Sequence, residues 1–363
     1  MRQLVRGLVF VVLATVAAST WAQRASDFSR GLGLESAWRT QLRLPVDGRG
    51  IASVDFWVDK KTVRQYAVVE LADRTIRVPS DQLDRDGKPI GMERAKEMAQ
   101  TQAARVLGKA EGIQVVEVTV PQIKMVVVTR DGLVQTLDAE TGKLLWATPC
   151  GPSWAPAHPG AVCEAGVVVI HGDNLHLLDW TTGKHLMIRP LQRATSNAVA
   201  AYKDIAFVSD FTGRIEAFAL GREMRPWAYV MKGRAVGQPV TLLDKGFCAI
   251  STDVGFVYVY KPSEPPEVWL RFESGAPISG SLAAGNGAFY SGNVQGSITK
   301  FSADERFGTI LWELRTGHTV TAPPLVVGNS VFVVNEAGDV IAINDQSGKA
   351  LWETEAVEAV VPM

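Results

Sequence analysis

The sequence predicts an all-β fold, a β-propeller of four-stranded blades, and three observations lead to this prediction. Large apolar side chains recur with a period of 40 to 43 residues, and a polar turn motif precedes most of them. The 33 glycines and 18 prolines are typical of a chain with many short strands and turns. With 363 residues, the chain is long enough for one large all-β domain or two ordinary ones.

Tryptophan marks the repeat. Five tryptophans stand at multiples of the period: Trp146, Trp227, Trp269, Trp312 and Trp352. The successive gaps are 81, 42, 43 and 40 residues. The first gap spans two periods, and Met187 occupies the missing place 41 residues after Trp146. Six large apolar residues in one register predict six consecutive copies of one supersecondary unit.

A polar turn precedes the tryptophan in the clearest copy, Asp138-Ala-Glu-Thr-Gly-Lys-Leu-Leu-Trp146. The Asp side chain bonds the backbone of the turn, the Gly supplies a positive φ, and a strand carrying the Trp follows. This pattern predicts a β-hairpin. The positions that we assign to the repeat, all with structural roles, are Asp138, Gly142, Trp146, Asp179, Gly183, Trp227, Trp269, Gly308, Trp312, Gly348 and Trp352.

Each hairpin follows another apolar run, such as Gly166–Ile170 or Ser330–Val334, and a looser strand with small residues precedes that run. Four short strands in about forty residues are typical of a propeller blade. A blade buries its two faces only by stacking on its neighbours, and we expect the tryptophan to fill the gap between blades. Residues 113–357 are therefore predicted to form six blades.

The N-terminal third is less regular. Residues 35–42 resemble an isolated copy of the Trp-bearing outer strand, and residues 51–79 contain three plausible strands. Residues 91–107 change to a helical period, with Gly108 as the stop. We interpret residues 23–112 as a divergent blade with a helical insertion, and a separate small domain is the alternative.

Residues 358–363 resemble the first strand of a further blade that is incomplete. The count is then seven visible blades and eight in a complete ring, with the strand at Trp38 available to complete the last one. The chain is either a fragment, or its ring closes differently. We expect a monomeric ring.

Residues 1–22 have the features of a secretory signal. Arg2 and Arg6 provide positive charge, residues 8–18 form an apolar run, and Thr20 and Ala22 suit a cleavage site. The run is shorter than the roughly twenty residues of a membrane span. No cysteine near the site suits a lipid anchor. Export to the periplasm, without a transmembrane span after cleavage, is the expectation, and an uncleaved membrane anchor is the alternative.

The cysteines and the charges set further limits. Export would allow Cys150 and Cys163 to form a disulfide bond. Buried free thiols are the alternative for these two residues and for Cys248. The 37 basic and 38 acidic residues almost balance, and no basic stripe favours nucleic-acid binding.

Motifs for catalysis are not found. The sequence has no His-Glu-x-x-His, Cys-x-x-Cys, Gly-x-Ser-x-Gly or phosphate-binding glycine motif. His171 and His176 flank a turn, which favours solvent-facing side chains over a metal site. A catalytic residue should break the repeat, whereas Asp138, Asp179 and Asp304 share one repeat position. We therefore predict no catalytic, cofactor-binding or metal-binding residue.

The Asp-x-x-Thr-Gly-Lys-x-x-Trp pattern resembles the blade motif of pyrroloquinoline-quinone-type propellers over residues 113–357. This family includes quinoprotein alcohol dehydrogenases and the BamB-type propellers of outer-membrane protein assembly. The dehydrogenases are longer and carry an adjacent cysteine pair and a calcium ion beside the quinone, and here no two cysteines are adjacent.

The resemblance therefore implies the fold and leaves two functions. The preferred one is a non-enzymatic scaffold that binds protein partners in the cell envelope through loops and edge strands, for example by strand addition. The alternative is an oxidoreductase that uses pyrroloquinoline quinone and calcium. A sensor of a polymer or peptide ligand is a further option.

Overall fold

The computed structural model describes residues 38–44, 50–71, 74–108, 112–195, 198–278, 280 and 282–354. The predicted signal segment, residues 35–37 and the predicted strand at 358–363 lie outside these ranges. Among the described residues, no helix is long and apolar enough to span a membrane.

Six antiparallel sheets follow one another along the chain, and we number them as blades 1 to 6. Blade 1 has the strand order β2-β1-β3-β4-β5, and each other blade has four strands in sequence order. The strands of blades 1 to 3 are β1 (Ile51–Glu70), β2 (Thr75–Pro79), β3 (Val116–Thr129), β4 (Leu133–Asp138), β5 (Leu144–Pro149), β6 (Ala161–Cys163), β7 (Gly166–His171), β8 (Asn174–Leu178), β9 (His185–Pro190), β10 (Ala200–Tyr202), β11 (Ile205–Ser209), β12 (Arg214–Ala219) and β13 (Trp227–Val230).

Blades 4 to 6 repeat the four-stranded pattern. Their strands are β14 (Ala235–Leu242), β15 (Phe247–Thr252), β16 (Phe256–Lys261), β17 (Glu267–Glu273), β18 (Ala283–Gly285), β19 (Ala288–Gly292), β20 (Ser297–Ser302), β21 (Thr309–Arg315), β22 (Leu325–Val327), β23 (Ser330–Val334), β24 (Val340–Asn344) and β25 (Ala350–Glu353). The first strands of blades 2 to 6 contact one another in succession. The predicted all-β propeller is confirmed.

The chain divides into two compact units. The larger unit comprises residues 1–55, 126–137 and 144–363, and it contains blades 2 to 6. The smaller unit comprises residues 56–125 and 138–143. Helix α1 (Gly91–Leu107) belongs to the smaller unit and ends at Gly108, whose φ of 67° is left-handed, as the sequence predicts.

A small apolar core holds α1 in the smaller unit. Ala95, Ala99 and Ala103 are buried on one face of the helix and pack with Val69 and Val78 of the β1–β2 hairpin. Small side chains on this face allow the helix to lie close to the sheet. The helical period of residues 91–107 also predicts Val106 and Leu107 on this face, but these two side chains are exposed.

The blade count differs from the predicted seven, because the described residues form six sheets. Residues 51–79 do not build a blade of their own, since their strands join the sheet that contains the first clear hairpin. The sequence predicts separate strands at residues 51–58 and 65–71, whereas β1 is one strand from Ile51 to Glu70. Within this strand, the Asp59 carboxylate pairs with Lys124 of β3 at 3.2 Å.

The repeated turn works as its residue types indicate. The Oδ1 atom of Asp138 accepts hydrogen bonds from the backbone N–H groups of Glu140 and Thr141 and from the Thr141 hydroxyl. Asp179 and Asn344 make the same set of bonds in blades 2 and 6. These hydrogen bonds fix the backbone conformation of the turn that leads into the glycine.

Tryptophan links consecutive blades through that glycine. Trp146 of blade 1 donates its indole N–H to the Trp180 carbonyl of blade 2 at 3.0 Å. A Cβ on Gly183, whose φ is 68°, would lie 2.4 Å from Cε3 of Trp146. Trp312 of blade 5 donates to the Asp345 carbonyl of blade 6 at 2.7 Å and packs against Gly348 in the same way. Only glycine satisfies both the backbone conformation and the contact.

Trp269 is one residue out of step with the other tryptophans. In β17 a β-bulge falls at Trp269, so Leu270 pairs with Val259, whereas in β21 the bulge falls at Leu311 and Trp312 pairs with Lys300. Leu270 is therefore buried where tryptophan is expected, and its methyl groups lie 3.7 Å from the position of a Cβ on Gly308 in the next blade.

The shifted Trp269 still contacts blade 5, since its indole N–H donates to the Ala303 carbonyl at 2.7 Å. Its ring stacks on Phe247, and the cationic groups of Lys261 and Arg306 lie about 5 Å from its centre. The bulge therefore moves this tryptophan outward without breaking its link to the next blade.

Trp227 packs differently from the other tryptophans, edge-on against Phe207 and Tyr260. Trp352 in blade 6 is 43% exposed, whereas Trp312 is 8% exposed. The five predicted positions therefore share a place in the repeat without sharing one environment.

Residues 38–44 contact blade 1 although they form no regular strand. The side-chain amide of Gln135 in β4 bonds both backbone groups of Arg43, with two bonds of 2.9 Å. A comparable contact joins blade 3 to blade 4, where the Lys232 N–H donates to the Tyr258 hydroxyl at 2.8 Å. Arg43 and Lys232 each stand five residues after a tryptophan, Trp38 and Trp227.

We expect Trp312→Ala to lower the free energy of unfolding by about 3–5 kcal/mol, because it leaves a cavity between blades 5 and 6 and removes the bond to Asp345. Trp352→Ala is the matched control, and the exposure of Trp352 predicts a much smaller loss. Chemical denaturation of both variants measures the difference. Equal losses would contradict the packing described for Trp312.

Candidate functional site

A functional residue in a repeat protein should depart from the repeated pattern. The turn between the second and third strands of each blade shows such a pattern clearly. A buried polar side chain begins this turn in five blades and accepts a hydrogen bond from its backbone. The five residues are Thr129, Asp210, Thr252, Asn293 and Asn335. These residues lie 17 residues before the tryptophan in four of the five blades, but their type varies among Thr, Asp and Asn, so the position does not stand out in the sequence.

His171 breaks this pattern in blade 2. It holds the place of Asp210 and Asn335, since each of the three forms an isolated bridge with the connection from the preceding blade. The His171 ring lies between Gly132 and Gly151 of blade 1, where a Cβ on either glycine would come within 2.5 Å of the ring. Its neighbour His176 is also buried. The expectation that both histidines face solvent is therefore wrong.

Blade 5 contains a second departure, a buried ion pair. Lys300 of β20 donates to Oδ1 and to the carbonyl of Asp345 at 2.7 and 3.0 Å. The Tyr290 hydroxyl donates to the same carboxylate at 2.5 Å, and the Asn286 amide donates at 2.9 Å. In the other blades, the residue that pairs across from the tryptophan position carries no charge, as with Thr136.

Burial opposes ionisation of Asp345, but hydrogen bonds from Lys300, Tyr290 and Asn286 outweigh it and lower the pKa of this carboxyl group. Burial and the nearby Asp345 raise the pKa of Tyr290 far above its ordinary value. At neutral pH the network is therefore a carboxylate held by an ammonium group and a neutral phenol. Lys300, Tyr290 and Asn286 of blade 5 all donate to Asp345 of blade 6, so the network joins the two blades. Because these polar groups bond to one another, none of them is free to act as a nucleophile.

The cysteines and the acidic residues give no metal or redox site in the described part of the chain. Cys150, Cys163 and Cys248 are free and buried, and burial raises the pKa of each thiol to about 12. Among the described residues, no group of three histidine, cysteine or acidic side chains is arranged to hold a metal ion.

Exposed apolar side chains recur on the outer strands. The fourth strand lies at the edge of each sheet, and in five blades it contains a β-bulge. The residues at the bulges, which we call the bulge residues, are Leu145, Leu186, Trp269, Leu311 and Leu351. The four leucines are 40–56% exposed. A bulge turns one extra side chain outward, and here that side chain is apolar in each case.

The opposite ends of the blades carry single exposed aromatic residues. Phe307 is 91% exposed in the turn between β20 and β21, and Trp154 is exposed in the connection from blade 1 to blade 2. Scattered apolar residues of this kind are normal on protein surfaces. The bulge residues differ because they occupy one repeat position in five blades, and they are the candidate interaction surface.

We expect Asp345→Ala to lower the free energy of unfolding by about 3–5 kcal/mol, because it leaves the buried Lys300 ammonium without a carboxylate. The matched control is Asp304→Ala, which breaks the exposed Lys245–Asp304 pair and should cost less than about 1 kcal/mol. Urea denaturation tests both variants. Because the pKa of Asp345 is lowered in the fold, its contribution is present at neutral pH and decreases as the pH falls through that value. Equal costs for the two variants would contradict the buried network.

Comparison with known proteins identifies a matching family model and two similar relatives. A family model described as "Outer membrane protein assembly factor BamB" matches residues 99–232 and 253–362. BamB of Yersinia pestis is 24% identical over 249 residues, which cover 62% of this chain and 53% of the relative. BamB of Moranella endobia (strain PCIT) is 23% identical over 256 residues, which cover 65% and 56%. The chain spans about half the length of these curated relatives.

Among the solved structures compared, one with a TM-score above 0.5 shows a likeness of fold. KlHsv2 with loop 6CD replaced by a Gly-Ser linker has a TM-score of 0.51 and 13% identity, over 65% of this chain and 79% of that one. BamB from Moraxella catarrhalis has a TM-score of 0.46 and 18% identity, over 64% and 70%. The two segments that match the family model make up well over half of the sequence, and the chain belongs to the BamB family of outer membrane protein assembly factors.

Proposed function

We propose that this protein is a non-enzymatic scaffold that binds other proteins in the bacterial cell envelope during assembly of outer-membrane proteins. The observation that carries the proposal is the row of bulge residues on the outer strands. The relatives are named outer membrane protein assembly factors, which supports this setting. The signal-like residues 1–22 support export, which N-terminal sequencing of the mature protein would test.

The bulges favour one mode of binding over another. Strand addition needs a regular edge with evenly spaced backbone groups, and a β-bulge twists such an edge away from a partner. Leu145, Leu186 and Leu311 nevertheless project apolar surface from these edges. We therefore propose that partners bind through apolar contacts with the bulge residues, and not by extending the sheets.

The charged groups around these strands favour a neutral or mixed-charge partner. The basic and acidic residues of the chain almost balance, and many of the described ones already pair with each other, as Lys245 does with Asp304 and Arg222 with Asp204. Affinity would then depend on burying the leucines, each of which contributes roughly 1.5–3 kcal/mol when fully buried.

The double variant Leu186→Glu with Leu311→Glu should weaken partner capture at least tenfold, since it places charge in two apolar contacts. Leu83→Glu is the matched control, because Leu83 is equally exposed outside the blade repeat. Photo-cross-linking in intact envelopes from position 145 or 351, two bulge residues that the double variant leaves unchanged, followed by identification of the linked protein, measures capture. Unchanged cross-linking by the double variant, with its melting temperature also unchanged, would refute the proposal.

The alternative is a quinoprotein oxidoreductase. We predict that the purified protein neither binds pyrroloquinoline quinone in the presence of calcium nor oxidises alcohols or sugars. Two of the polar residues that break the repeat, Lys300 and Asp345, are buried and hydrogen-bonded to each other, so they present no free group to a substrate. Absorbance titration and a dye-linked dehydrogenase assay provide the test. Stoichiometric binding with turnover would show the scaffold proposal to be wrong.

A further inference from the structure

Three histidines form a row at the contact between blades 1 and 2, and among the described residues no carboxylate makes a hydrogen bond or ion pair with them. The ring centres of His171 and His176 are 6.3 Å apart, and those of His176 and His185 are 5.3 Å apart. His171 comes from β7, His176 from β8 and His185 from β9. We call this set the histidine row.

The row is held against the end of β5 in blade 1. His171 fills the slot between Gly132 and Gly151, and Nε2 of His185 lies 3.4 Å from the Pro149 carbonyl. His176 is 3% exposed between the two other rings. Among the described residues, neither nitrogen of His176 has a hydrogen-bond partner. A neutral imidazole in this position forgoes hydrogen bonds, and an imidazolium there would carry an uncompensated charge.

Charged groups on the adjoining elements do not compensate the positive charge that protonation of His176 would create. The β3–β4 turn carries Arg130 and Asp131, and the Asp131 carboxylate already accepts a hydrogen bond from the Thr129 hydroxyl. The β7–β8 turn carries the exposed Asp173. In the part of the chain that the structure describes, no hydrogen bond joins either carboxylate to the row. Protonation of one ring also disfavours protonation of the next.

We propose that the histidine row makes the contact between blades 1 and 2 acid-labile: protonation of His176 opens this contact while blades 3 to 6 stay packed. This inference is independent of the proposed scaffold function. Burial, with smaller effects from His185 and His171, lowers the pKa of His176 from 6.5 to about 4. A lowered histidine pKa means that the closed contact has its full stability above about pH 6.5 and loses it as the pH falls toward 4.

The size of the effect follows from the two pKa values. Between pH 7 and pH 5 the equilibrium constant for opening should rise on the order of tenfold. Asp55 has the opposite effect on the pH dependence of stability. Burial raises the pKa of this carboxyl group to about 7, and the hydrogen bond from Ser53, which lowers the pKa, is the smaller effect. Its protonation on acidification favours the folded state. Global melting therefore mixes the two effects, and a local measurement is needed.

Hydrogen exchange of the full chain, corrected for the intrinsic effect of pH on the exchange rate, provides that measurement. Amides of β7 and β8 should lose on the order of tenfold in protection between pH 7 and pH 5, while amides of β19 and β20 keep theirs. His176→Leu should abolish the pH dependence. His318→Leu, at an exposed histidine between blades 5 and 6, should leave it unchanged.

Two results would overturn the proposal. One is equal corrected protection of β7 and β8 at both pH values in the unaltered protein. The other is a loss of β7 and β8 amide protection between pH 7 and pH 5 that is as large in His176→Leu as in the unaltered protein. If His176→Leu does not fold, an NMR titration of the unaltered protein decides, because the His176 imidazole must stay neutral to below pH 5. Titration of every imidazole near pH 6.5 would refute the histidine row as the cause.

Discussion

The contact between a large apolar side chain and the glycine turn of the next blade is the constraint on which the other features depend. A single blade exposes both of its faces, and only a neighbour at the correct distance covers them. Trp146 on Gly183 and Trp312 on Gly348 set that distance, and each indole N–H satisfies a carbonyl that stacking would otherwise bury unpaired. The polar residue that begins the turn serves this contact, because it holds the glycine in place.

The period of the fold was predictable from sequence because the inter-blade contact needs particular residue types. Tryptophan, glycine and the turn-forming Asp or Asn each have few substitutes, so their spacing remains visible at 40 to 43 residues. Helix α1 was predictable for a similar reason, since Ala95, Ala99 and Ala103 repeat at four-residue intervals. These signals are local and depend on residue type.

Other features were not predictable because they depend on register or on distant partners. A bulge moves one residue out of the pairing, and both candidates at positions 269 and 270 are apolar, so the sequence does not indicate which one faces the next blade. The burial of His171 depends on Gly132 and Gly151, which lie in another blade. The joining of residues 51–79 to blade 1 depends on backbone pairing, which has no residue-type signature. The candidate surface was foreseen as edge strands, but not as bulge residues.

The contact between Gln135 and Arg43 has a practical meaning for shortened forms of the protein. Gln135 is 1% exposed, and its amide makes both of its described bonds with the backbone of a segment that is itself irregular. The segment caps blade 1 through its backbone alone, since Gln135 binds only the N–H and C=O groups of Arg43. Substitutions at position 43 should thus be tolerated, whereas removal of residues 38–44 would leave a buried amide unsatisfied, at roughly 1–3 kcal/mol. Trimming an irregular N-terminal stretch is a common first step in crystallisation, and in this chain that step would weaken the first blade.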